Sequence, residues 1–432
     1  MSYRSAPRFK PFTITVDTTL PGSPSDTFIL PLEQASPGNI RNYRFRVEWG
    51  DGTISRIQSW NSPDLTHVYP SDGIYEVKIY GLIDNIYFAN TGDKSKIINI
   101  NQWGSVIWRD LGSSFYGCDN LTNYGATDVP ILINTKINLV GVLEKKFINL
   151  GSMFSNSSFN SNINNWDVSN VSDTVNMFYN TTFNQPLSGW NVGNVTNMQS
   201  MFAGSFGSQT QFNQPIGNWN VSKVTNMSSM FEYSLFNQSI GNWNVSGVTN
   251  MAYMFNNATS FNQPLIGWNV GNVTDMTWMF LGATSFNQPL SGWNVSNVTN
   301  MQSMFYNTPF NQSIGNWNVS GVTDMSNMFA GLNFSPFTLH PFNQDLSNWN
   351  IGSVTNMSQM FSQNTGLTTT NYNRILTGWT GWDGVTATKP VQSNVTFSAG
   401  SAKYSTGFTN VVSARTYLDI TKAWTITDGG GI

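Results

Sequence analysis

Cysteine, histidine and charge are what this 432-residue chain has least of. It holds one cysteine, Cys118, and two histidines, His67 and His340, and only 10% of its residues are charged. One cysteine closes no internal disulfide, and two histidines far apart in sequence build no multi-histidine metal site, which excludes disulfide scaffolds and zinc fingers. A net charge of -3 offers no basic surface for a phosphate backbone, so nucleic acid is not an expected partner. No stretch approaches ~18 apolar residues, and the start from Met1 to Lys10 carries no apolar core behind its positive charges. Neither a signal peptide nor membrane insertion is expected. A Gly-rich phosphate loop, a nucleophile elbow and a His-x-x-x-His pair are all missing, so no cofactor and no metal is expected either.

Charge is also unevenly spread. Residues 1–150 hold 14 Lys+Arg and 14 Asp+Glu, residues 151–363 hold 1 and 6, and residues 364–432 hold 5 and 3. A long region with seven charges stays folded only if apolar residues recur regularly enough to make a core. They do. One phrase returns eight times, shown by Phe183-Asn184-Gln185-Pro186-Leu187-x-x-Trp190-Asn191-Val192-x-x-Val195-Thr196-Asn197-Met198-x-x-Met201-Phe202. Its tryptophans, Trp166, Trp190, Trp219, Trp243, Trp268, Trp293, Trp317 and Trp349, stand 24, 29, 24, 25, 25, 24 and 32 residues apart. The unit is therefore 24–25 residues, with insertions at Gly204 to Gln211 and Leu332 to Pro341. A period in the twenties predicts a solenoid of short coils.

Within a unit, Leu187-x-x-Trp190-x-Val192 has the leucine-rich-repeat spacing and predicts a strand with Trp and Val inward and Asn191 outward. Val195 to Phe202 spaces its apolar residues at three and four, which predicts a short helix capped by Thr196 or Asn197. Trp268 is then a core residue and Asn262 an exposed loop residue. In the first 90 residues, Phe12 to Val16, Arg44 to Trp49 and Tyr75 to Tyr80 alternate at period two and predict hairpin strands around the Gly50-Asp51-Gly52-Thr53 turn.

These residues carry a resemblance. The units resemble the BspA-like surface-protein repeats, a divergent leucine-rich-repeat family, and Phe115-Tyr116-Gly117-Cys118-Asp119-Asn120-Leu121 resembles that family's F-x-x-C-x-x-L loop, with Cys118 a small buried residue. Asn371 to Trp379, Asn394 to Phe397 and Trp424 to Gly430 resemble its terminal segment. The string Trp49-Gly50-Asp51-Gly52-Thr53, His67-x-Tyr69, Gly73-x-Tyr75-x-Val77 is similar to PKD-like immunoglobulin-fold domains, with Asp51 and His67 as turn and packing residues. The expected fold class is a mixed α/β repeat protein: a PKD-like β-sandwich (1–92), irregular first repeats (93–150), a leucine-rich-repeat-type solenoid (151–363) and a C-terminal cap (364–432).

Asp167, Asp173, Asp275, Asp324 and Asp345 are read as occupying different slots of the unit, as Asn-to-Asp drift, which leaves no recurring carboxylate pair for glycoside hydrolysis. The Asn-Val-Thr and Asn-Val-Ser triplets repeat the phrase and carry no weight as glycosylation sites. The constellation with functional potential is an Asn ladder: Asp167, Asn191, Asn220, Asn244, Asn269, Asn294, Asn318 and Asn350, expected about 4.8 Å apart on one face. Either its amides bond one another up the stack, or the face binds a glycan or protein. The resemblance implies a non-enzymatic surface protein for recognition or adhesion. A phage or viral virion component is favoured over a secreted bacterial adhesin, with a structural spacer as the further alternative. The expected partners are other virion or surface proteins through the N-terminal domain, a host glycan or protein through the repeats, and a second copy of the chain. The expected location is a virion surface or the extracellular space.

Overall fold

In the computed structural model, which describes residues 9–34, 42–133, 135–137, 143–145, 148–332 and 339–432, the period-two segments near the N-terminus are strands. In chain order they are β1 (Phe12–Asp17), β2 (Thr27–Ile29), β3 (Tyr43–Glu48), β4 (Ile54–Ile57), β5 (Thr66–Val68), β6 (Ile74–Ile83), β7 (Ile97–Gln102), β8 (Ile107–Trp108) and β9 (Asn123–Tyr124). Six form one sheet in the order β4-β3-β6-β1-β7-β9, and β2 pairs with β5. Along β3, Tyr43, Phe45 and Val47 are buried while Arg44 and Arg46 are exposed, as one buried sheet face requires. The β3–β4 turn needs its glycines: Gly50 has φ 96°, and a Cβ there would lie 2.7 Å from the Glu76 carbonyl oxygen. Asp51 accepts from Thr53 N at 2.9 Å and meets His67 Nε2 at 2.8 Å. The His67 ring stacks on Trp49 with centroids 4.8 Å apart.

The chain comprises two units, Met1–Gln214 and Pro215–Ile432. The boundary expected at residue 92 falls inside the large sheet, because β1 pairs antiparallel with both β6 and β7. A sandwich closed at residue 92 is therefore corrected: without β7, one edge of β1 would be left open. The rest of the first unit adds short pairs. β10 (Ile131–Leu132) runs parallel to β8, β11 (Thr135–Ile137) antiparallel to β12 (Leu143–Lys145), and β13 (Ile148–Asn149) parallel to β14 (Val171–Asp173). In the second unit, α1 (Thr369–Thr380), β15 (Thr396–Ser398), α2 (Thr409–Thr416) and β16 (Thr425–Thr427) follow the repeats.

The mixed α/β solenoid of leucine-rich-repeat type is also corrected. Among the described residues the only α-helices are α1 and α2, both beyond the repeats, and the Leu-x-x-Trp-x-Val segments are not strands. The protein is a repeat fold of small sheets and turns. Its apolar spacing of three comes from turns closed i to i+3: Trp190 N donates to Leu187 O (3.1 Å), Val195 N to Val192 O (2.9 Å) and Met201 N to Met198 O (3.2 Å). Each turn points its first and last side chains inward, which gives the same sequence signature as a helix. Backbone accounting shows why no helix forms. In one repeat, the N–H groups of Met254, Asn256 and Ala258 close turns onto Met251, Tyr253 and Phe255. Those of Met251, Tyr253, Phe255 and Asn257 go instead to the Asp275, Thr277, Met279 and Leu281 carbonyls of the next repeat, at 3.2, 2.9, 2.9 and 2.7 Å. A helix would need all of them for itself.

That alternation forces left-handed backbone at Tyr253 (φ 62°) and Asn257 (φ 53°), and the same slots recur at Ser303 and Asn307, and at Ser229 and Tyr233. Left-handed conformation costs a residue with a Cβ about 1–2 kcal/mol, so the array holds it only through the bonds between repeats. Tryptophan adds a second tie. Trp243, Trp268, Trp293, Trp317 and Trp349 each donate Nε1 to a buried carbonyl of the preceding repeat at 2.9–3.1 Å. Beyond the last repeat, α1 supplies Trp379, whose Nε1 donates to Leu346 O at 2.9 Å in the same way. Meanwhile Met357 N and Phe361 N donate to Thr396 O and Ser398 O, the two ends of β15. The open edge of the final repeat is thereby covered. The first insertion is a small hairpin closed by Ser205 and Ser208; most of the second, residues 333–338, lies outside the described residues.

Candidate functional site

The eight ladder positions, Asp167, Asn191, Asn220, Asn244, Asn269, Asn294, Asn318 and Asn350, are all exposed between a buried Trp and a buried Val or Ile. Each uses its side-chain oxygen locally. Asp167 Oδ1 accepts from Ser169 N (3.0 Å), Asn191 from Gly193 N (3.2 Å), Asn220 from Ser222 N (3.2 Å) and Asn244 from Ser246 N (3.2 Å). Asn269 accepts from Gly271 N (3.1 Å), Asn294 from Ser296 N (3.2 Å), Asn318 from Ser320 N (3.2 Å) and Asn350 from Gly352 N (3.0 Å). These are Asx turns, in which the side chain imitates a backbone carbonyl and turns the chain after Trp. Among the described residues, the amides of Asn191, Asn220, Asn244, Asn269, Asn294, Asn318 and Asn350 do not bond one another from repeat to repeat. Within the second unit the Nδ2 groups of the exposed Asn220, Asn244, Asn269, Asn294, Asn318 and Asn350 have no protein partner among the described residues, which leaves one N–H donor per repeat at the surface.

An amide ladder of the expected kind does exist, at the Phe-Asn-Gln phrase. Asn262 N donates to Asn237 Oδ1 (3.0 Å), Asn287 N to Asn262 Oδ1 (3.1 Å), Asn311 N to Asn287 Oδ1 (3.0 Å) and Asn343 N to Asn311 Oδ1 (2.9 Å). The Nε2 groups of Gln263, Gln288, Gln312 and Gln344 add bonds to the same oxygens at 2.9–3.1 Å. Asn262, taken from the sequence as a loop residue, is a rung of this ladder.

The aspartates follow the same logic. Asp173, Asp275 and Asp324 share one slot with Asn197, Asn226, Asn250, Asn300 and Asn356, pairing through parallel bridges within each unit, so the expectation of different slots is corrected for these three, while Asp167 and Asp345 stand in other slots. In that slot the oxygen accepts the N–H two residues on, as from Val175 at 2.9 Å, Thr277 at 2.9 Å and Ser326 at 2.8 Å. Asp345 Oδ1 does so from Ser347. An Asx turn asks only for an oxygen, which a carboxylate supplies as well as an amide; that is why Asp and Asn interchange there.

Cys118 is fully buried, and burial pushes its thiol well above the usual range. His340, also buried, takes the place that Thr308 holds one repeat earlier. Its Nε2 donates to Phe305 O at 2.8 Å and its Nδ1 accepts from Phe342 N at 3.2 Å, and burial lowers its pKa to about 4. Among the described residues no group of three or more His, Cys, Asp or Glu could hold a metal ion, and no helix is long and apolar enough to cross a membrane. Sequence reading assigned the eight tryptophans of the phrase to the core and passed over Trp278, which like Tyr253 stands just before the second Met of Met-x-x-Met. It also passed over Phe206, 90% exposed on the first insertion.

Turn-built repeats joined by backbone bonds, with inward aromatics and outward amides, define a repeat protein that presents an uncharged surface. The chain belongs to the family described as Mycoplasma protein of unknown function, DUF285, whose model matches residues 134–234, 203–309 and 292–396 in three overlapping copies. Tandem matches of this kind agree with the resemblance to BspA-like repeat proteins. No curated protein and no solved structure matches the chain.

Proposed function

We propose that the protein is a non-enzymatic recognition protein displayed at a virion or cell surface. Its repeats contact a host glycan or protein, and its charge-rich N-terminal region docks on neighbouring proteins of the particle or on a second copy. The observation that carries this reading is the outward amide row. The oxygens of Asn244, Asn269 and Asn294 are spent on the fold, while their Nδ2 donors have no protein partner among the described residues. Donors repeated once per repeat suit a ligand with repeated acceptors, such as the hydroxyl and ring oxygens of a glycan. The paired charge of residues 1–150 is better suited to specific docking than the seven charges of residues 151–363.

Replacing Asn244, Asn269 and Asn294 together by Asp keeps every turn oxygen but removes three donors. Probed on an array of host-type glycans, the native chain should bind with little salt dependence, since the contact is uncharged, and the triple variant should lose that binding while remaining folded. A silent array with the native chain would favour a spacer. Undiminished binding by the folded triple variant would move recognition off the amide row.

A further inference from the structure

The slot two residues after the first Met of each repeat is left-handed throughout. Small or amide side chains fill it at Ser229 (φ 55°), Ser303 (φ 52°) and Asn327 (φ 55°). In two consecutive repeats it holds Tyr253 (φ 62°) and Trp278 (φ 58°) instead. The fold imposes left-handed backbone on this slot in every repeat, so what sets these two repeats apart is the large aromatic side chain placed there. Adjacency is fixed by the backbone: Ser229 N donates to Ala252 O, Tyr253 N to Thr277 O and Trp278 N to Gln302 O, each at 2.9 Å. The two rings lie 5.2 Å apart, tilted at 44°, and both residues are half-buried at the surface rather than in the core. Trp278 Nε1 is buried without a hydrogen-bond partner, as are those of Trp108 and Trp382, whereas the repeat tryptophans Trp243, Trp268, Trp293, Trp317 and Trp349 each bond a carbonyl. From Val245 to Val322 the chain carries a single charge, Asp275.

We infer that Tyr253 and Trp278 form a platform for a neutral pyranose ring, a glycan-binding site separate from the amide row. The C–H face of a sugar packs against the electron-rich ring faces, and a ligand hydroxyl at the indole edge would give Nε1 the acceptor it lacks after a small rotation of the ring. The charges nearest in the array are both acidic, Asp275 and, in the adjoining repeat, Glu232, whose Oε1 accepts from Asn256 Nδ2 at 2.8 Å, and they favour a neutral glycan over an anionic one. The inference rests on the reading of the repeats as a recognition surface only in its choice of ligand class.

Native gels containing a neutral glucan, mannan or galactan, with polygalacturonate as the anionic comparison, test it on the full chain. The native protein should be retarded by at least one neutral polymer and not by the anionic one. Trp278→Ser and Tyr253→Ser should each weaken retardation at least about tenfold with no loss of thermal midpoint, because serine is what the flanking repeats carry in this slot. Trp278→Tyr, which keeps a ring, should retain most of the binding. Equal retardation of the serine variants, no retardation of the native chain by any neutral polymer, or retardation by the anionic polymer alone would overturn the platform. Should the serine variants bind normally while the triple Asp variant of the amide row does not, the platform fails and the recognition reading stands.

Discussion

Trp268→Ala is expected to destabilise the protein by about 3–5 kcal/mol, the range for removing a large buried aromatic side chain. Trp268 is 2% exposed, its ring stacks on Trp293 with centroids 6.4 Å apart, and its Nε1 donates to Ile240 O at 3.0 Å. Alanine would leave a cavity and, in addition, a buried carbonyl without its donor. Asn262→Ala makes the informative comparison. Its oxygen serves Asn287 N and Gln288 Nε2, so the loss should be about 1–3 kcal/mol rather than nothing. Urea unfolding of the full chain, followed by circular dichroism, gives both values. A Trp268→Ala cost no larger than that of Asn262→Ala would contradict the core assigned to tryptophan.

Acid should weaken the fold through His340. Burial holds this imidazole neutral, with a pKa of about 4 when folded against 6.5 for the free side chain. Between those values the unfolded chain binds a proton that the folded chain does not. Stability is therefore at its full value above about pH 6.5, falls as the pH drops toward about 4, and levels off below; the contribution lost is on the order of 3 kcal/mol. His340→Thr, which installs the residue found at Thr308, should remove this slope and leave only the carboxylate titrations. Asp51 adds a separate one. Burial raises its pKa, but the hydrogen bonds from Thr53 and His67 outweigh that and leave it lowered, so its contribution is lost only below the ordinary aspartate range. An unchanged slope between pH 6.5 and 4 in His340→Thr would contradict the assignment to this histidine.

Much of the repeat was legible in sequence because chemistry and spacing coincide in it. Trp190 and Val192 point in and Asn191 points out, and the length of the unit follows from the tryptophans. What was not legible is the backbone that achieves this. Met198-x-x-Met201 and Leu187-x-x-Trp190 space their side chains as a helical or leucine-rich turn would, and spacing alone does not say whether an N–H goes four residues back or 24 residues on. The left-handed residues that decide it, Ser200, Tyr253 and Trp278 among them, are not glycines and give no local warning. The same blindness affected the amides. Asn262 and Asn269 are one residue type in one repeat, yet the first joins neighbouring repeats and the second closes its own turn. The sheet was misjudged at residue 92 because β7 has no period-two alternation to mark it: Ile97 and Ile100 are buried three residues apart along Ile97–Gln102.

The account turns on one division of labour: in the outward row, oxygen builds the turn and nitrogen is surplus to the fold. Thermal melts of two triple variants, Asn244, Asn269 and Asn294 all to Asp and all to Ala, measure it most directly. The melts belong at about 1 M salt, where screening reaches only about 3 Å and the repulsion between neighbouring carboxylates is suppressed. The Asp variant keeps three turn acceptors and should melt close to the native protein. The Ala variant loses three hydrogen bonds worth roughly 0.5–1.5 kcal/mol each and should melt clearly lower. An Asp variant that melts as low as the Ala variant, or lower, would contradict the account.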